Sequence, residues 1–372
     1  MKPEILFIIP SLRLGGAERS AYLLIKFLVS REYQITLITR NDDTDFYSIP
    51  ESVKRIKLKS IQKSRSIFNA WKENSSYVKE LKSTIKEVSP HLIISFMARN
   101  NIHTLLATSL LNIPVIVSER NYPPANPLGF PWAMLRRFIY PKAAKLVSLS
   151  RGTDSYFSWM QKKKRIVINN AVSPPENMKK FEESIDKILN RDGRNYIVAA
   201  GRLHEVKNFL LLIETFASLA EEFSLWDLLI LGEGKERVLL ETLIKEKNVE
   251  ERVFLPGKTR SVHNIFQKCD LFCLTSKTEG MGNVILEAMQ AGLPIVSVDC
   301  PTGPREILED GKWGVLVPLN DNKNLQNALK KMMKSHEERD QYCALSKERI
   351  KAFSPELIFS LWKDLINTLI KP

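Results

Sequence analysis

The sequence predicts two doubly wound α/β domains, each built on a parallel sheet with helices on both faces. Short apolar runs alternate with helical stretches along the chain, and this alternation stops near residues 171–192 and then starts again. The length of 372 residues also suits about two domains. We expect a first domain at 1–172, a second at 173–354 and a last helix at 355–372.

The elements of the first domain have the order of β/α units. Its predicted strands are uninterrupted runs of large apolar and β-branched residues, which is typical of strands covered on both faces. The stretch 17–29 has helical spacing and places Ala21, Leu24, Ile25 and Leu28 on one face. The predicted strands are residues 5–9, 34–39, 92–96, 115–118 and 146–149, and turn residues in 167–175 end the series.

The second domain repeats this pattern. Its predicted strands are residues 196–200, 228–231, 253–255, 271–274 and 294–298, with a helix at 208–219. The charged stretch 179–194 is predicted to connect the domains with some helix, and the amphipathic stretch 355–370 to pack as a terminal helix crossing back to the first domain. Ligands of such sheets bind at the carboxyl ends of the strands, so we expect the site in a cleft between the domains.

The charge of the chain favours polyanionic partners. It has 55 Lys and Arg against 42 Asp and Glu, a formal net charge of +13, which suits nucleic acid, anionic lipid or diphosphates. One basic cluster covers residues 54–82. A second one, Arg136, Arg137, Lys142 and Lys145, is interleaved with large apolar and aromatic residues. That mixture suits a helix in a membrane interface, although a solvated basic face is the alternative.

The cysteines and the start of the chain predict a cytoplasmic protein. The four cysteines form no C-x-x-C pair and no metal spacing with the five histidines, which indicates reduced thiols. The apolar run at 5–9 is too short for a secretory signal peptide. No apolar run approaches the roughly 20 residues that a membrane-spanning helix needs.

Two glycines, Gly15 and Gly16, follow the first predicted strand and open the first helix. Their position suits a phosphate loop, because glycine allows close approach of the backbone to a ligand. Their spacing is neither G-x-G-x-x-G nor a Walker motif, which argues against nicotinamide-binding and ATP-hydrolysing enzymes. An ordinary tight turn is the alternative interpretation.

Two cations and two carboxylates in the second domain suit a sugar–diphosphate–nucleoside. Arg202 and Lys207 bracket a turn at a predicted helix start, where a guanidinium fork and an ammonium group can bind a diphosphate. Glu279 and Glu287 lie eight positions apart and can accept hydroxyls on either side of it. The residues between them include the turn Gly280, Met281, Gly282 and Asn283. A solvated surface loop before an amphipathic helix is the alternative.

Together these motifs resemble the family-four glycosyltransferases. The resemblance rests on the early Gly-Gly-Ala-Glu, then G-R-L-x-x-x-K-N, Leu-Gly-Glu-Gly and Glu279-x7-Glu287, and it covers nearly the whole chain. It implies the GT-B fold, in which two Rossmann-like domains face each other across a cleft. It also implies a retaining enzyme that holds the donor mainly in the second domain and the acceptor in the first, and that needs no metal and no cofactor.

The resemblance also implies a role for each site residue. Arg202 and Lys207 would bind the donor diphosphate, Glu279 would lie near the transferred sugar, and Glu287 would bind the ribose. The backbone from Gly280 to Asn283 would contact phosphate and sugar. Gly15 and Gly16 would approach the diphosphate from the first domain, and the backbone near Gly257 and Lys258 would hold the base.

One turn departs from the family pattern. Many family members carry a histidine in a Ser-Glu-His turn of the first domain, whereas here Glu119 is followed by Arg120 and Asn121. We expect these three residues near the sugar and acceptor, with Arg120 in place of the histidine and no catalytic base assigned. A covalent role for Glu279 is the less favoured route. The D-x-D at 43–45, a metal motif of another glycosyltransferase fold, lacks supporting context.

The resemblance is strongest to bacterial enzymes of surface-polysaccharide and glycan-lipid assembly. We therefore expect transfer of a hexose or N-acetylhexosamine, with N-acetylgalactosamine favoured, from a UDP-sugar to a polyprenyl-diphosphate-linked glycan or similar membrane acceptor. The protein would be cytoplasmic and peripheral on the inner face of the plasma membrane, in contact with anionic lipid. A non-catalytic nucleotide-sugar or glycan-binding protein is the alternative. A nucleic-acid partner is not expected, because no binding motif is present.

Overall fold

The computed structural model describes residues 3–13, 15–40, 45–59, 67–172, 183–259 and 261–370. The chain divides into two compact units. The first comprises Met1–Ala171 together with Glu356–Pro372, and the second comprises Val172–Pro355.

The described strands of the first unit form one parallel sheet in the order β3-β2-β1-β4-β5-β6-β7. The direction of the order reverses between β1 and β4, which both lie in the middle of the sheet. The strands are β1 (Glu4–Ile8), β2 (Gln34–Arg40), β3 (Lys54–Leu58), β4 (Leu92–Phe96), β5 (Val115–Glu119), β6 (Lys145–Ser148) and β7 (Arg165–Val167). The helices are α1 (Gly16–Ser30), α2 (Ile67–Val88), α3 (Ala98–Thr108), α4 (Phe130–Ile139) and α5 (Arg151–Tyr156), with 3₁₀ turns at Tyr140–Lys142 and Lys162–Lys164.

Strand β1 shows why the central strands are apolar without interruption. Ile5 and Phe7 face one core with α1, while Leu6 and Ile8 face a second core with α2 and α3. Successive side chains of a strand point to opposite faces. Because helices cover both faces, all four residues from Ile5 to Ile8 are buried.

The last helix, α14 (Pro355–Leu369), belongs to the core of the first unit. Its buried residues are Ile358, Phe359, Trp362, Leu365 and Ile366, which recur at the spacing of one helical face. They pack in the same core as Ile5, Phe7 and the apolar face of α1. The chain therefore returns to the first unit after completing the second.

The described strands of the second unit form a parallel sheet in the order β10-β9-β8-β11-β12-β13. Here the order reverses between β8 and β11. The strands are β8 (Asn195–Ala200), β9 (Trp226–Leu231), β10 (Val253–Gly257), β11 (Leu271–Leu274), β12 (Ile295–Asp299) and β13 (Val315–Pro318). The helices are α6 (Glu183–Leu189), α7 (Phe209–Ala220), α8 (Arg237–Glu246), α9 (Val262–Phe266), α10 (Asn283–Gln290), α11 (Pro304–Ile307), α12 (Asn322–Lys334) and α13 (His336–Arg349), followed by a 3₁₀ turn at Ile350–Phe353.

Three strands differ from the sequence prediction, which contained no strand at β3, β7 or β13. Each of the three lies at an edge of its sheet. Parts of the predicted pattern fall outside the described residues. These parts are positions 43 and 44 of the D-x-D, Lys63 and Arg65 of the first basic cluster, residues 173–175 of the predicted turn, and residues 179–182 of the connection.

Helix α4 divides the second basic cluster between surface and interior. Phe130, Met134 and Phe138 are exposed at a spacing of four residues, so they form one apolar stripe. Arg136 is only 4% exposed, so the expectation that it belongs to the basic surface is wrong. It is buried because the helix presents the opposite face to the core through Ile139. Over the described residues, the helices are too short or too polar to cross a bilayer.

Candidate active site

Lys207 and Glu279 meet at the carboxyl edge of the second sheet. Lys207 lies beyond β8 and Glu279 beyond β11, the two strands between which the strand order reverses. The Nζ atom of Lys207 donates a hydrogen bond to Oε1 of Glu279 at 2.5 Å, and Oγ of Ser276 donates to the same oxygen at 2.6 Å. The reversal point is where doubly wound sheets bind ligands. The structure therefore joins two of the predicted site residues at the expected place.

Glycines at the strand ends make room for the lysine side chain. A Cβ on Gly201 would lie 3.1 Å from Cε of Lys207, and a Cβ on Gly232 would lie 1.8 Å from the Gly201 carbonyl oxygen. The Lys207 carbonyl accepts a hydrogen bond from Oγ1 of Thr275 at 3.0 Å. The end of β8 is thus packed closely against the ends of β9 and β11, which fixes the path of residues 201–207.

The predicted glycine turn leads directly into α10. Gly282 is the N-cap of this helix in the left-handed conformation, with φ 87° and ψ 51°, which a residue with a Cβ adopts at a cost. As a glycine it offers no side chain to cap the helix. The N-terminus of a helix carries unpaired N–H groups and a partial positive charge, which favour an anion. The loop from Gly280 to Asn283 therefore presents backbone donors beside the Lys207–Glu279 pair.

A second segment, which the sequence prediction did not include, supports this loop. Oγ1 of Thr302 donates to the Glu279 carbonyl oxygen. Gly303 has φ 97°, and a Cβ there would lie 2.1 Å from the Met281 carbonyl oxygen. Both residues lie in the loop between β12 and α11. Ser276 comes just after β11, so its place at the carboxyl edge was a signal that could have identified it.

The other predicted site residues of the second unit lie at the same edge of the sheet or on α10. Arg202 and Lys258 are exposed, and neither forms an ion pair with the residues that the structure describes. Gly257 ends β10 with φ 98°, and its carbonyl accepts a hydrogen bond from the Gly232 amide at 2.8 Å. Glu287 is half-buried on α10. Arg202, Gly257 and Lys258 follow or end strands at this edge of the sheet, and Glu287 lies on α10.

Gly15 and Gly16 begin α1 in the first unit. Gly15 has extended backbone, and a Cβ on it would lie 2.3 Å from Oε2 of Glu18. Glu18 lies in the first turn of the helix, where a carboxylate is favoured by the helix dipole. Its Oε1 accepts a hydrogen bond from Oγ of Ser11 at 3.2 Å. In this structure Glu18 is therefore the anionic group at that helix start.

The side chains of the Glu119–Arg120–Asn121 turn lie in two different places. Glu119 is buried at the end of β5 and accepts a hydrogen bond from the Tyr140 hydroxyl, and burial raises its pKa to about 7. Glu119 and the exposed Asn121 line a cavity of the first unit. The structure does not place Arg120 among the residues that line it.

Arg120 is buried in the core of the first unit. Its guanidinium donates to Oδ1 of Asn170 at 3.1 Å and to Oγ of Ser20 at 2.9 Å. It also lies 4.8 Å from the ring centre of Phe96 and 5.9 Å from that of Trp362. Burial lowers the pKa of Arg120 to about 9. These contacts join α1, α14 and the segment after β7, so Arg120 has a clear structural role.

Comparison with protein families identifies the chain. The model described as "Glycosyltransferase Family 4" matches residues 14–175, and the model described as "Glycosyl transferases group 1" matches residues 173–349. The chain belongs to the family-four glycosyltransferases. Several of the predicted site residues, including Lys207, Glu279 and Gly282, fall inside the second matched region.

This glycosyltransferase is similar over nearly its whole length to curated bacterial proteins. It is 24% identical to the amylovoran biosynthesis glycosyltransferase AmsD of Erwinia amylovora, with 95% of this chain and 96% of that protein covered. It is 29% identical to the N-acetylgalactosamine-N,N'-diacetylbacillosaminyl-diphospho-undecaprenol 4-alpha-N-acetylgalactosaminyltransferase of Campylobacter jejuni, with 92% and 93% covered.

Solved structures confirm the fold of this glycosyltransferase. Sucrose-phosphate synthase from Thermosynechococcus elongatus aligns with a TM-score of 0.83 and 17% identity, covering 99% of both chains. Anabaena HepE in complex with UDP and glucose aligns with a TM-score of 0.77 and 18% identity, covering 98% of this chain and 100% of that one. The predicted GT-B fold, with two parallel sheets and a last helix that returns to the first, is therefore confirmed.

Proposed function

We propose that this glycosyltransferase transfers a hexose or N-acetylhexosamine, with N-acetylgalactosamine favoured, from a UDP-sugar to a membrane lipid-linked oligosaccharide or surface-polysaccharide precursor. The Campylobacter relative is named for adding N-acetylgalactosamine to a diphospho-undecaprenol glycan, and the Erwinia relative for amylovoran biosynthesis. HepE was solved with UDP and glucose. These names support the donor and the acceptor class assigned here.

The observation that carries the proposal is the Lys207–Glu279 contact beside the N-terminus of α10. A diphosphate needs cations and N–H donors, and Lys207, Arg202 and this helix start would provide both. Arg202 forms no ion pair with the described residues, so its guanidinium can bind phosphate without first leaving a carboxylate. The loop backbone from Gly280 to Asn283 would complete the phosphate contacts.

Glu279 would bind the transferred sugar. Within the described part of the chain its two side-chain contacts, from Lys207 and Ser276, both fall on Oε1. Oε2 can therefore accept a hydrogen bond from a sugar hydroxyl. Glu287, further along the same helix, would accept hydrogen bonds from the ribose, and the backbone at Gly257 and Lys258 would hold the base.

The first unit would supply the acceptor side of the site. Gly15 and Gly16 would approach the diphosphate, and Glu119 and Asn121 would lie near the sugar and acceptor. Arg120 would act from its buried position by holding α1 and α14 in place.

The proposed reaction replaces one bond at the anomeric carbon with another. The bond from this carbon to the donor phosphate oxygen breaks, a bond to the acceptor hydroxyl oxygen forms, and the acceptor proton passes to the departing phosphate oxygen. If both events occur on one face of the sugar, the configuration is retained. Lys207 and Arg202 would stabilise the negative charge that develops on the departing UDP. The reaction so written needs no metal ion and no further cofactor.

Arg202→Ala and Lys207→Ala test this assignment. Removing one preorganised donor to a developing negative charge typically lowers kcat by roughly 10²–10³-fold, so we expect each variant to lose about that much transfer. The readout is acceptor-dependent UDP release, with circular dichroism to verify folding. Lys330→Ala is the matched control, because Lys330 forms an exposed ion pair with Glu222. Full activity in both site variants would contradict the proposal.

Membrane attachment would use helix α4. The helix has an exposed stripe of Phe130, Met134 and Phe138. Exposed basic residues are close in the chain, with Arg137 on the helix and Lys142 just after it. An apolar stripe next to Lys and Arg is typical of helices that lie in a membrane interface. We therefore place the enzyme on the inner face of the plasma membrane, against anionic lipid.

A further inference from the structure

The first unit contains a cavity of about 280 Å³ at the carboxyl ends of its central strands. Its lining includes Pro10 after β1, Arg40 at the end of β2, Met97 after β4 and Glu119 at the end of β5. This is the place where the strand order of the first sheet reverses, and doubly wound sheets bind ligands at such a point. The volume corresponds to roughly nine water molecules, which is enough for a phosphate or diphosphate group.

Three arginines line this cavity, Arg40, Arg99 and Arg136. Arg136 is almost fully buried. It donates to the Tyr156 hydroxyl at 2.5 Å and lies over the rings of Tyr156 and Phe157, and its charge also interacts with the Glu119 carboxyl. Among the described residues none of the three arginines forms an ion pair. Three guanidinium groups beside one carboxyl group leave an excess of positive charge. Such an excess is unfavourable where Arg136 is buried, so the arrangement indicates a negatively charged ligand.

Glu119, the carboxyl group that lines the cavity, cannot balance the charge of three arginines. Glu119 accepts a hydrogen bond from Tyr140 and forms no ion pair with the described residues. Burial raises its pKa to about 7, so a large fraction of it is uncharged near neutral pH. The cavity therefore carries a net positive charge with or without the proton on Glu119.

Backbone and side-chain groups add further hydrogen-bonding capacity. Helix α3 begins at the cavity, where Ala98, Arg99 and Asn100 line it, and its N-cap residue Met97 makes no side-chain capping bond. The positive end of this 11-residue helix therefore adds to the field of the arginines. Nε of Arg40 and Oδ1 of Asn100 are buried without a hydrogen-bond partner in the described structure. One is a donor for an anion and the other an acceptor for a hydroxyl.

We infer that this cavity binds the phosphate group of a phosphorylated acceptor, with Arg40, Arg99 and Arg136 as its cationic partners. The ligand class is a phosphate or diphosphate ester that also carries hydroxyl groups. Its identification as the diphosphate of a lipid-linked glycan rests on the proposed function, whereas the requirement for an anion rests on the cavity itself. Arg99, which is exposed, would hold the outer oxygens, and Arg136 the inner ones.

A calorimetric titration with geranyl diphosphate tests this inference. The full-length protein carries Arg202→Ala and Lys207→Ala, so that the cations of the proposed donor site cannot bind the probe. We expect saturable binding that weakens at least tenfold on adding Arg40→Gln or Arg99→Gln. Arg99 is exposed, so its substitution tests binding without threatening the fold. The matched control is Arg137→Gln, because Arg137 is the exposed neighbour of Arg136 and stacks on Trp159 outside the cavity; its affinity should stay within twofold.

A second arm with glucose 6-phosphate distinguishes the two sources of the phosphate group. If Arg40→Gln and Arg99→Gln weaken the binding of geranyl diphosphate, the ligand is a lipid diphosphate. If they weaken only the binding of glucose 6-phosphate, the ligand is a free sugar phosphate. Absence of binding to both probes, or equal binding in all variants, would overturn the inference. Failure of the proposed function would instead appear as absence of sugar transfer with this phosphate binding intact, so the two failures are distinguishable.

Discussion

Lys207 and Glu279 neutralise each other in this structure, and both are assigned to the donor. A diphosphate carries more negative charge than one carboxylate, so it would compete with Glu279 for the ammonium group. Donor binding would then free Glu279 to accept hydrogen bonds from the sugar. The ion pair thus links recognition of the phosphate to recognition of the sugar.

Asp227, in contrast, serves stability at the opposite edge of the second sheet. Its carboxylate is fully buried near the start of β9 and pairs with Arg191 at 3.1 Å, with Arg252 at 2.8 Å and with Arg194. Arg194 comes just before β8 and Arg252 just before β10. One carboxylate therefore ties together the amino ends of three neighbouring strands, away from the carboxyl edge that carries the site.

Asp227→Asn should strongly destabilise the protein. It leaves three guanidinium groups around a neutral amide, and breaking a buried ion pair on one side typically costs about 3–5 kcal/mol. Urea unfolding followed by circular dichroism measures the loss. The control Lys330→Gln removes an exposed pair with Glu222 and should change the free energy of unfolding by less than about 1 kcal/mol. Equal stability of the two variants would contradict the role given to Asp227.

The site residues differ in how far the sequence could predict them. Lys207 and Glu279 belong to local motifs whose residue types already suggest phosphate and hydroxyl binding, and the structure joins them. Ser276 and Thr302 act through single hydrogen bonds to Glu279, and such contacts arise only when β11 and β12 lie side by side. From the sequence alone, Arg136 is assigned to a basic surface cluster, because the spacing of residues in a sequence does not show which face of a short helix is covered.

At the scale of elements, the loop before α10 depends on a neighbouring turn. Gly303 faces the Met281 carbonyl so closely that a Cβ would lie 2.1 Å from its oxygen. The same residue has a positive φ, which an L-residue adopts with strain. The turn at Gly303 and the loop from Glu279 to Gly282 therefore keep their shapes together.

Gly303→Ala should weaken both donor binding and stability. The added methyl group must displace the Met281 backbone, so we expect at least tenfold weaker UDP binding and a loss of about 1–3 kcal/mol in unfolding free energy. Calorimetry and urea unfolding provide the two readouts. Gly129→Ala is the control, since a Cβ there meets no atom within 4 Å. UDP affinity equal to that of this control would refute the coupling.

The exposed stripe of α4 predicts binding to anionic vesicles. Burying a Phe side chain contributes about 1.5–3 kcal/mol, so Phe130→Ser with Phe138→Ser should weaken sedimentation with phosphatidylglycerol vesicles at least tenfold. Leu110→Ser is the control, because Leu110 is 84% exposed but lies after α3, outside the stripe. Unchanged vesicle binding in the double variant would exclude α4 as the attachment surface.

The strands that the sequence failed to predict share a physical cause. β3, β7 and β13 are edge strands of three to five residues, and an edge strand is covered less completely than a central one. The sequence of β3 is Lys-Arg-Ile-Lys-Leu, so it has no continuous apolar run that would predict a strand. Charged residues are common in edge strands, because they prevent pairing with the strand of another chain. The central strands were predictable because burial on both faces requires continuous apolar sequence.

At the scale of the whole molecule, each unit has its own proposed ligand site, because each has a parallel sheet with the same kind of strand order. Each sheet reverses its strand order once and places polar groups beyond the strands on either side of that point. In the second unit these groups are Lys207 and Glu279, and in the first they line the arginine cavity. The repeat of the β/α pattern in the sequence predicted both sheets, whereas the cavity required the positions of Arg40 and Arg136 in space.

The most direct test of the central claim is nucleotide release from UDP-, GDP- and ADP-sugars, measured with and without polyprenyl-diphosphate glycans. We predict acceptor-dependent release of UDP, with UDP-N-acetylgalactosamine as the best donor. Release from a GDP- or ADP-sugar alone would contradict the donor assignment. Binding of a UDP-sugar by the folded protein with no turnover for any acceptor would contradict the enzymatic role and favour a nucleotide-sugar-binding protein.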